Sequence, residues 1–494
     1  VGMKKNSIKN IVGGSVFLLI FCCSSWPLVA AAAVDPFASF LQSHIKHYTA
    51  ADAEYADRPY IKKLKGVLSA DMRILAYGVA QNPAKSTQNP NNDPVGLPTY
   101  VGNVEVRPDF RFNTEYLDMG IKPRMLLDYR YWKEGKREGE DDWNDEWYIN
   151  EWLVRIKAFD RVFASYGREN LQWGPSFLYS PSNPFFFDNG RSNPYMEVAG
   201  MDFARLVVVP HMLWTASFIA NTDQGRNTLI STDPFKETYA VKLDYTGNQN
   251  YASLILSQRD DKNTVGYFGG WTVTDALLLY SEGSMRRGSD ALYPDLRRAS
   301  LMKSFLETLF PSDSPLGPIV DRYTALRQFV MGKTHDDSDY YPVVLVGGSY
   351  TFETLGTLSL EYMYNSPGYS ENEADIYYTL RGNAAYAYVD MGAFPSLLGQ
   401  YTLYQTGYTG LRFLRKNYAM LQYFRGNIFN KLDTTLRWTQ NIDDGSAQFL
   451  GLMSYSIGNH LELFSSGVVN AGKEDSEFGT FIDYQVMFGL KYSL

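Results

Sequence analysis

The stretch from Val104 to Tyr116 alternates between mostly apolar and mostly charged residues, and this alternation limits what the chain can form. Successive side chains of a β-strand point to opposite faces, so a strand here would have one apolar face and one charged face. A soluble sandwich would bury the apolar face against a second sheet. A transmembrane barrel instead turns that face to lipid and lines a hydrated lumen with the other.

The same alternation recurs over Ile121–Tyr131, Tyr239–Tyr245 and Leu432–Trp438, and it is longest over Phe478–Leu494. A chain that ends on a long amphipathic strand at an apolar residue resembles the C-terminal assembly signal of bacterial outer-membrane proteins. That family usually ends in Phe, and Leu494 departs from its pattern. The resemblance implies insertion into the outer membrane of a Gram-negative bacterium by the barrel assembly machinery, in contact with lipid and lipopolysaccharide.

The first 33 residues are predicted to be a secretory signal peptide. Three lysines precede a short apolar stretch over Ile11–Cys23, and small residues follow at Ala31–Ala33. The apolar stretch is too short to span a bilayer as a helix, although an N-terminal membrane anchor is the alternative. Both cysteines lie inside this segment, so the mature chain is expected to contain no disulfide. No apolar run of helix-spanning length follows, which leaves a periplasmic protein or a closed barrel.

Composition agrees with a barrel. Aromatic residues make up 15% of the chain, which suits the aromatic girdles at the two membrane interfaces. The net charge of -8 and the lack of a basic block argue against nucleic-acid binding. The fold class predicted is all-β: a transmembrane antiparallel up-and-down β-barrel over residues 66–494 with about 18 strands, in a range of about 16–18.

Some segments do not fit the strand pattern. Residues 34–65 have helical spacing of apolar residues and are predicted to form a short periplasmic cap or plug. Residues 284–341 are predicted to be a long external loop with short helices near Leu301–Phe310 and Ile319–Met331, either folded over the mouth or free at the surface. Residues 374–400 give the weakest indication of a strand.

The most specific motif runs from Gly167 to Ser176 and continues through a segment rich in Pro, Asn and Phe to Arg191. A Gly-Arg at a strand end followed by Trp-Gly resembles the inward-folded loop of porin-like channels, and the matching region of alginate-export and capsule-assembly barrels. The resemblance implies a constriction or sugar-binding face shaped by Arg168, Glu169, Trp173 and Arg191. The alternative is that Arg168 and Glu169 pair within the wall while Trp173 packs the loop.

Charged residues on the polar faces of the strands are predicted to line the lumen. They are Arg107, Asp109, Arg111, Arg124, Asp128, Arg130, Arg437, Asp483 and Lys491. Rings of one sign would set ion selectivity. Because both signs are interleaved, cross-strand pairing is the alternative, and no strong preference for anions or cations follows.

Catalytic and metal-binding patterns are missing from the sequence. It contains neither a Gly-x-Ser-x-Gly elbow nor a His-Glu-x-x-His helix. His44 and His47 have no acidic third ligand placed nearby, and the acidic stretch His335–Asp339 lacks the spacing of a calcium loop. We therefore expect no cofactor, no metal and no enzyme activity. The expected function is an outer-membrane channel for polar solutes, with saccharides or an exported polysaccharide as the solute class. A surface-assembly or anchoring barrel with a blocked lumen is the alternative, and an outer-membrane enzyme the third.

Overall fold

The computed structural model describes residues 66–186, 190–191, 193–226, 235–295, 304–309, 311–315, 317, 330–332, 338–390 and 392–494. The predicted signal peptide and the predicted helical segment at 34–65 lie outside these residues. The chain divides into two compact units, residues 1–69 and 70–494. Only residues 66–69 of the first unit are described, so the account below concerns the second.

Eighteen strands form one sheet that closes on itself. The strands of the chain are β1 (Leu68–Pro83), β2 (Tyr100–Asn113), β3 (Leu117–Tyr131), β4 (Asp141–Ala158), β5 (Val162–Glu169), β6 (Met201–His211), β7 (Trp214–Asp223), β8 (Thr238–Thr246), β9 (Asn250–Arg259), β10 (Lys262–Thr274), β11 (Leu277–Arg287), β12 (Tyr293–Asp295), β13 (Val330–Gly332), β14 (Tyr340–Thr351), β15 (Gly356–Asn365), β16 (Asn417–Ile428), β17 (Leu432–Asn441), β18 (Ala447–Ile457), β19 (Leu461–Ala471) and β20 (Ile482–Ser493). β12 and β13 pair only with each other. All others pair with their neighbours along the chain, and β1 closes against β20 in antiparallel register. The predicted barrel of about 18 strands is confirmed.

Outward and inward faces alternate as the sequence predicted. On β2, Phe110 is 48% exposed at the outer surface, whereas Arg107 is 4% exposed and faces inward. The same outer surface carries further exposed apolar side chains, among them Ile121, Leu206, Phe218, Val241, Leu254, Val265, Leu360, Leu436 and Phe488. An apolar belt around a closed sheet is the surface that a bilayer accommodates, because closure leaves no unpaired backbone edge in the hydrocarbon.

The two ends of the barrel differ. Eight short turns lie at one end, over residues 114–116, 159–161, 212–213, 247–249, 275–276, 352–355, 429–431 and 458–460. Most connections at the other end are longer, and the longest span residues 170–200, 288–339 and 366–416. Short periplasmic turns and long external loops are the expected asymmetry of such barrels. Of the two helices predicted within 284–341, the first is helical over residues 304–309. The second is wrong at its end, because Val330 and Met331 belong to β13, and its other residues lie outside the described part of the chain.

Two α-helices occupy the connection between β15 and β16, so the weak strand prediction at 374–400 is wrong. They are α1 (Glu371–Asp390) and α2 (Ala393–Gly407). α1 begins with a capping box, in which the Ser370 N–H donates to Glu373 Oε2 at 2.8 Å. No helix in the described part of the chain is both long and apolar enough to cross a bilayer.

The last strand is shorter than the alternation predicted. β20 begins at Ile482, so Phe478 and Thr480 lie in the connection from β19. Local hydrogen bonds explain the difference: Thr480 Oγ1 donates to Ser476 O at 2.5 Å, and the Glu477 N–H donates to Asp444 Oδ2 at 2.9 Å. These bonds give the backbone an alternative to pairing within the sheet.

The assignment of outward and inward faces on β2 predicts different stability effects for two neighbouring substitutions. Phe110→Arg should destabilise the folded barrel by about 2–4 kcal/mol if the site lies near the bilayer midplane. Arg111→Ser should cost about 1 kcal/mol or less, because the Arg111 side chain is 57% exposed inside the barrel. Urea titration of both variants in lipid vesicles measures the difference. A larger loss for Arg111→Ser would show that the faces are assigned the wrong way round.

Candidate functional site

In the connection between β5 and β6, the described residues 170–186, 190–191 and 193–200 fold into the barrel lumen. Its main chain carries Pro175, Pro181, Pro184 and Pro194, each of which fixes a backbone angle and removes a hydrogen-bond donor. The contacts described next join it to inward-facing side chains on strands from both sides of the barrel. We call residues 170–200 the lumenal loop.

One side of the lumenal loop packs against the wall formed by β6–β9. Phe185 and Phe186 are 3% and 2% exposed. They join a buried apolar cluster with Met201, Phe203, Ile219, Ala240 and Ile255. The Trp173 ring packs edge-on against Phe185, with ring centroids 5.9 Å apart. This side of the lumen is therefore filled by aromatic packing.

The other side of the loop is held by polar groups on β2, β3 and β19. Arg107 NH2 donates to the Tyr195 carbonyl at 2.8 Å, and Arg124 holds Glu197 through two hydrogen bonds of 2.6 and 2.8 Å. The Tyr195 ring stacks on Phe464 of β19, with centroids 3.8 Å apart. Since β6–β9 and β2, β3 and β19 lie in different parts of the closed sheet, the loop spans the lumen.

Arg191 fastens the loop to itself. Its guanidinium donates to the carbonyl oxygens of Gly174, Pro175 and Ser176 at 2.9, 2.6 and 2.8 Å. Arg437 of β17 in turn donates to the Arg191 carbonyl at 3.2 Å. Both residues, predicted for the constriction and the lumen wall, thus contact the main chain of the lumenal loop.

Arg168 and Glu169, predicted together for the constriction, lie on opposite faces of β5. Arg168 stands opposite Asp202 in the register and pairs with it at 2.7 Å, on the face that carries the exposed Tyr166. Glu169 faces inward and pairs with Arg205 at 3.0 Å. Strand alternation separates the two neighbours, so the structure does not bring Arg168 to the lumen.

Most of the predicted lumen-lining charges form ion pairs across or along the strands. Asp483, by contrast, accepts a hydrogen bond from Asn82 at 3.0 Å. The pairs are Arg107–Glu105 at 2.5 Å, Arg111–Asp118 at 2.9 Å, Arg124–Asp109 at 2.8 Å, Arg130–Asp128 at 2.6 Å and Lys491–Glu462 at 2.7 Å. The predicted lumen wall is therefore mixed in sign, and most of its charges are paired.

Sequence analysis missed several inward-facing charges that join this network. Arg73 pairs with Asp109 at 2.5 Å, and Arg155 lies 3.5 Å from Asp118. Arg205, the partner of Glu169, was missed as well. The alternation of side chains along β6 would have placed Arg205 on the inward face. On β4, a register shift opposite Lys122 and Pro123 changes the parity, so alternation alone could not place Arg155.

A second feature lies at the external end, where α1 and α2 contact several loops. Tyr369, Tyr377 and Tyr378 pack with Tyr293 from the connection that follows β11. Lys136, between β3 and β4, lies 3.5 Å from the centroid of the Tyr388 ring. Arg381 lies over the ring of Phe481, which precedes β20, at 4.6 Å. Because these partners come from separate connections, the helices form a cover at the external mouth, which we call the helical cap.

Glu477 joins the end of the connection between β15 and β16 to strands β16 and β17. Its Oε1 accepts the Leu414 N–H at 3.0 Å, and its Oε2 accepts the Asn441 amide at 2.8 Å and the Tyr418 hydroxyl. Burial raises the pKa of the Glu477 carboxyl to about 7, although the hydrogen bonds from Tyr418 and Leu414 act to lower it. The carboxyl therefore titrates near neutral pH.

This pKa predicts that the attachment of residues 411–416, between α2 and β16, depends on pH. A carboxyl with a raised pKa in the folded state holds its proton more tightly there, so its contribution to stability is complete below the ordinary value of 4.5 and is lost as pH rises towards about 7. The loss is on the order of 3 kcal/mol at most. Hydrogen exchange of residues 411–416, corrected for intrinsic rates, should rise between pH 5 and pH 8. Glu477→Gln should remove that rise, and Asp475→Asn, at an exposed neighbour, should retain it. An unchanged pH profile in Glu477→Gln would contradict the assignment.

No group of His, Cys, Asp and Glu side chains suited to a metal ion occurs among the residues described. His44, His47 and residues 335–337, considered above for metal binding, lie outside them. No protein-family model matches the chain, and no curated protein matches it.

Solved structures with a similar course of the backbone are bacterial outer-membrane proteins and porins. OprD from Pseudomonas aeruginosa is 9% identical, with a TM-score of 0.48 over 86% of this chain and 95% of that one. OccK7 from the same organism is 10% identical, with a TM-score of 0.47 over 86% and 98%. A mutant of Rh. blastica porin is 10% identical, with a TM-score of 0.40 over 86% and 100%. With identities this low, none of them indicates a solute, and the resemblance to alginate-export and capsule-assembly barrels stays a prediction.

Proposed function

We propose that this chain is an outer-membrane channel through which small polar solutes diffuse past the lumenal loop. The observation that carries the proposal is the loop itself, which is fastened to opposite parts of the wall and crosses a lumen lined by charges. An apolar outer belt supports the membrane location, and a charged interior supports passage of hydrated solutes.

The exposure of the inward-facing charges supports an aqueous path along β1–β3. The side chains of Arg73, Arg111 and Lys122 are 37%, 57% and 39% exposed although they face inward. The wall at β6–β9 is covered instead by the phenylalanines of the lumenal loop. We infer that solutes pass between the loop and the β1–β3 side of the barrel.

The loop also bears on the size of the solute. A polymer such as an exported polysaccharide would need the loop to leave the lumen, whereas its contacts hold it on several strands. We therefore favour small solutes, and saccharides remain one class to test. Swelling of vesicles that contain the purified protein, measured with arabinose, glucose, sucrose and raffinose, should show entry rates that fall steeply with solute size.

Planar-bilayer recording tests the channel directly. Purified protein should add discrete conductance steps, with weak selectivity between potassium and chloride because the lumen pairs charges of both signs. Folded protein that adds no steps would contradict diffusion through the barrel.

The helical cap favours one alternative, a surface-anchoring or assembly barrel with a blocked lumen. It contacts loops from several sides of the external mouth. Replacing residues 371–407 by a short Gly-Ser linker separates the two functions. Conductance that appears only after this replacement would favour the blocked barrel, and equal conductance with and without the cap would favour the channel.

A further inference from the structure

Two carboxylates of the barrel wall are completely buried beneath the lumenal loop. Glu282 on β11 and Glu361 on β15 are both 0% exposed. Their hydrogen-bond donors are neutral hydroxyl and backbone N–H groups. Burying a carboxylate is costly unless hydrogen bonds replace its water, so these donors decide whether the arrangement is tolerated. The donors come mainly from residues 176–182 of the loop.

Glu282 is held by serine hydroxyls. Its Oε1 accepts from Ser180 Oγ at 2.5 Å and from Ser182 Oγ at 2.7 Å, and its Oε2 accepts from Ser176 Oγ at 2.6 Å. Gly174 makes this approach possible, because a Cβ at that position would overlap the carboxylate, and its φ of +88° also favours glycine. The Trp-Gly-Pro-Ser sequence therefore suits a carboxylate that is distant along the chain.

Glu361 is held by the backbone. The Phe177 N–H donates to its Oε1 at 2.7 Å, and the Leu178 N–H donates to its Oε2 at 2.9 Å. The Tyr280 hydroxyl, from the wall itself, adds a third bond to Oε1 at 2.7 Å. Two consecutive N–H groups thus donate to the two oxygens of one carboxylate. Charge-assisted hydrogen bonds of this kind are among the stronger hydrogen bonds in proteins.

We propose that Glu282 and Glu361 are the positioning residues that fix segment 174–182 of the lumenal loop and thereby set the width of the passage. The claim that the two residues set the width of the passage rests on the proposed channel function. The claim that they fix the loop does not, because the fixing of the loop can be measured without any current. Neither residue needs to touch the solute.

The two sites should respond differently to the same substitution. Gln keeps the shape of Glu but offers one acceptor oxygen and one NH2 donor. A serine hydroxyl can rotate and accept from that NH2, so Glu282→Gln keeps its three hydroxyl bonds. Only the long backbone N–H contact from Ser176, at 3.5 Å, then faces a donor. A backbone N–H cannot reverse, so Glu361→Gln sets a donor against a donor and loses a bond. A general loosening of the barrel would not distinguish Glu282→Gln from Glu361→Gln.

Hydrogen exchange measured by mass spectrometry on the full-length protein in detergent tests the fixing of the loop. Peptides that cover residues 174–182 should exchange about tenfold faster in Glu361→Gln, the factor that corresponds to about 1.4 kcal/mol for one charge-assisted bond. Exchange in Glu282→Gln should stay within about twofold of the natural protein, since its bonds persist. The matched control is Glu151→Gln, a wall carboxylate paired with Lys122 at 2.9 Å.

If Glu361→Gln fails to give a heat-modifiable, folded barrel, the double variant Ser180→Ala with Ser182→Ala replaces it, because this variant leaves the wall intact and strips Glu282 of two donors. It should also raise exchange at 174–182. Unchanged exchange in the folded variants, or equal effects of Glu361→Gln and Glu282→Gln, would overturn the proposal.

Conductance recording on the same variants tests whether Glu282 and Glu361 set the width of the passage. Glu361→Gln should give larger or noisier steps than the natural protein. Asp260→Asn, at a carboxylate that pairs with Lys236 in the turn between β9 and β10, should not. Faster exchange without any current in any variant would support the positioning role and sink the channel. Faster exchange with unaltered steps would overturn the claim that these residues set the width.

Discussion

Removal of residues 176–186 from the lumenal loop is expected to raise the single-channel conductance about twofold or more, because the segment crosses a lumen through which ions must pass. Planar-bilayer recording of the natural and shortened proteins measures the change. The segment includes the serines held by Glu282 and both buried phenylalanines, so its loss removes the anchors on two sides of the barrel at once.

Folding must be controlled in this experiment, because Phe203, Ile219 and Ile255 lose their apolar cover when Phe185 and Phe186 are removed. Heat-modifiable mobility on SDS gels shows whether the barrel still closes. A second variant with Phe185→Leu and Phe186→Leu retains apolar packing and should conduct like the natural protein. Unchanged conductance of a folded deletion variant would show that the lumenal loop is not the constriction, and the helical cap would become the next candidate.

Deletion of Phe488–Leu494 is expected to abolish assembly, the largest effect on stability. These residues pair with both β1 and β19, for example Phe488 with Gly78 and with Ser465. Without them, two strands expose unpaired backbone groups to hydrocarbon, at several kcal/mol for each group. The truncated chain should be degraded in the periplasm instead of fractionating with outer membranes.

The matched control keeps the strand and alters one inward side chain. Lys491→Gln loses the ion pair with Glu462, which joins two partly exposed groups and contributes about 1 kcal/mol or less. It should therefore insert normally. Normal insertion of the truncated chain would contradict the role of β20 in closing the barrel.

The sequence by itself determined the barrel. Alternation over Val104–Tyr116 placed Phe110 outside and Arg107 inside, and the structure agrees. Period-two side-chain direction is a local property of an extended backbone, so it can be read from neighbouring residues alone. The same holds for the strand count, which depends on how often such stretches recur between turns.

Only the tertiary structure decided the facing of Arg168, the helical cap and the anchoring of the lumenal loop, because these features depend on residues that are far apart along the chain. Arg168 and Glu169 form one motif in sequence, yet they lie on opposite faces of β5. The cap formed where the residue pattern had weakly indicated a strand, since α1 buries Tyr377 and Tyr378 against other loops. Glu282 and Glu361 stand roughly a hundred residues or more from the serines and N–H groups that they hold, and only closure of the barrel brings them together. No local sequence pattern predicts such a contact. The contact is selected by the free-energy cost of burying a carboxylate without hydrogen-bond donors.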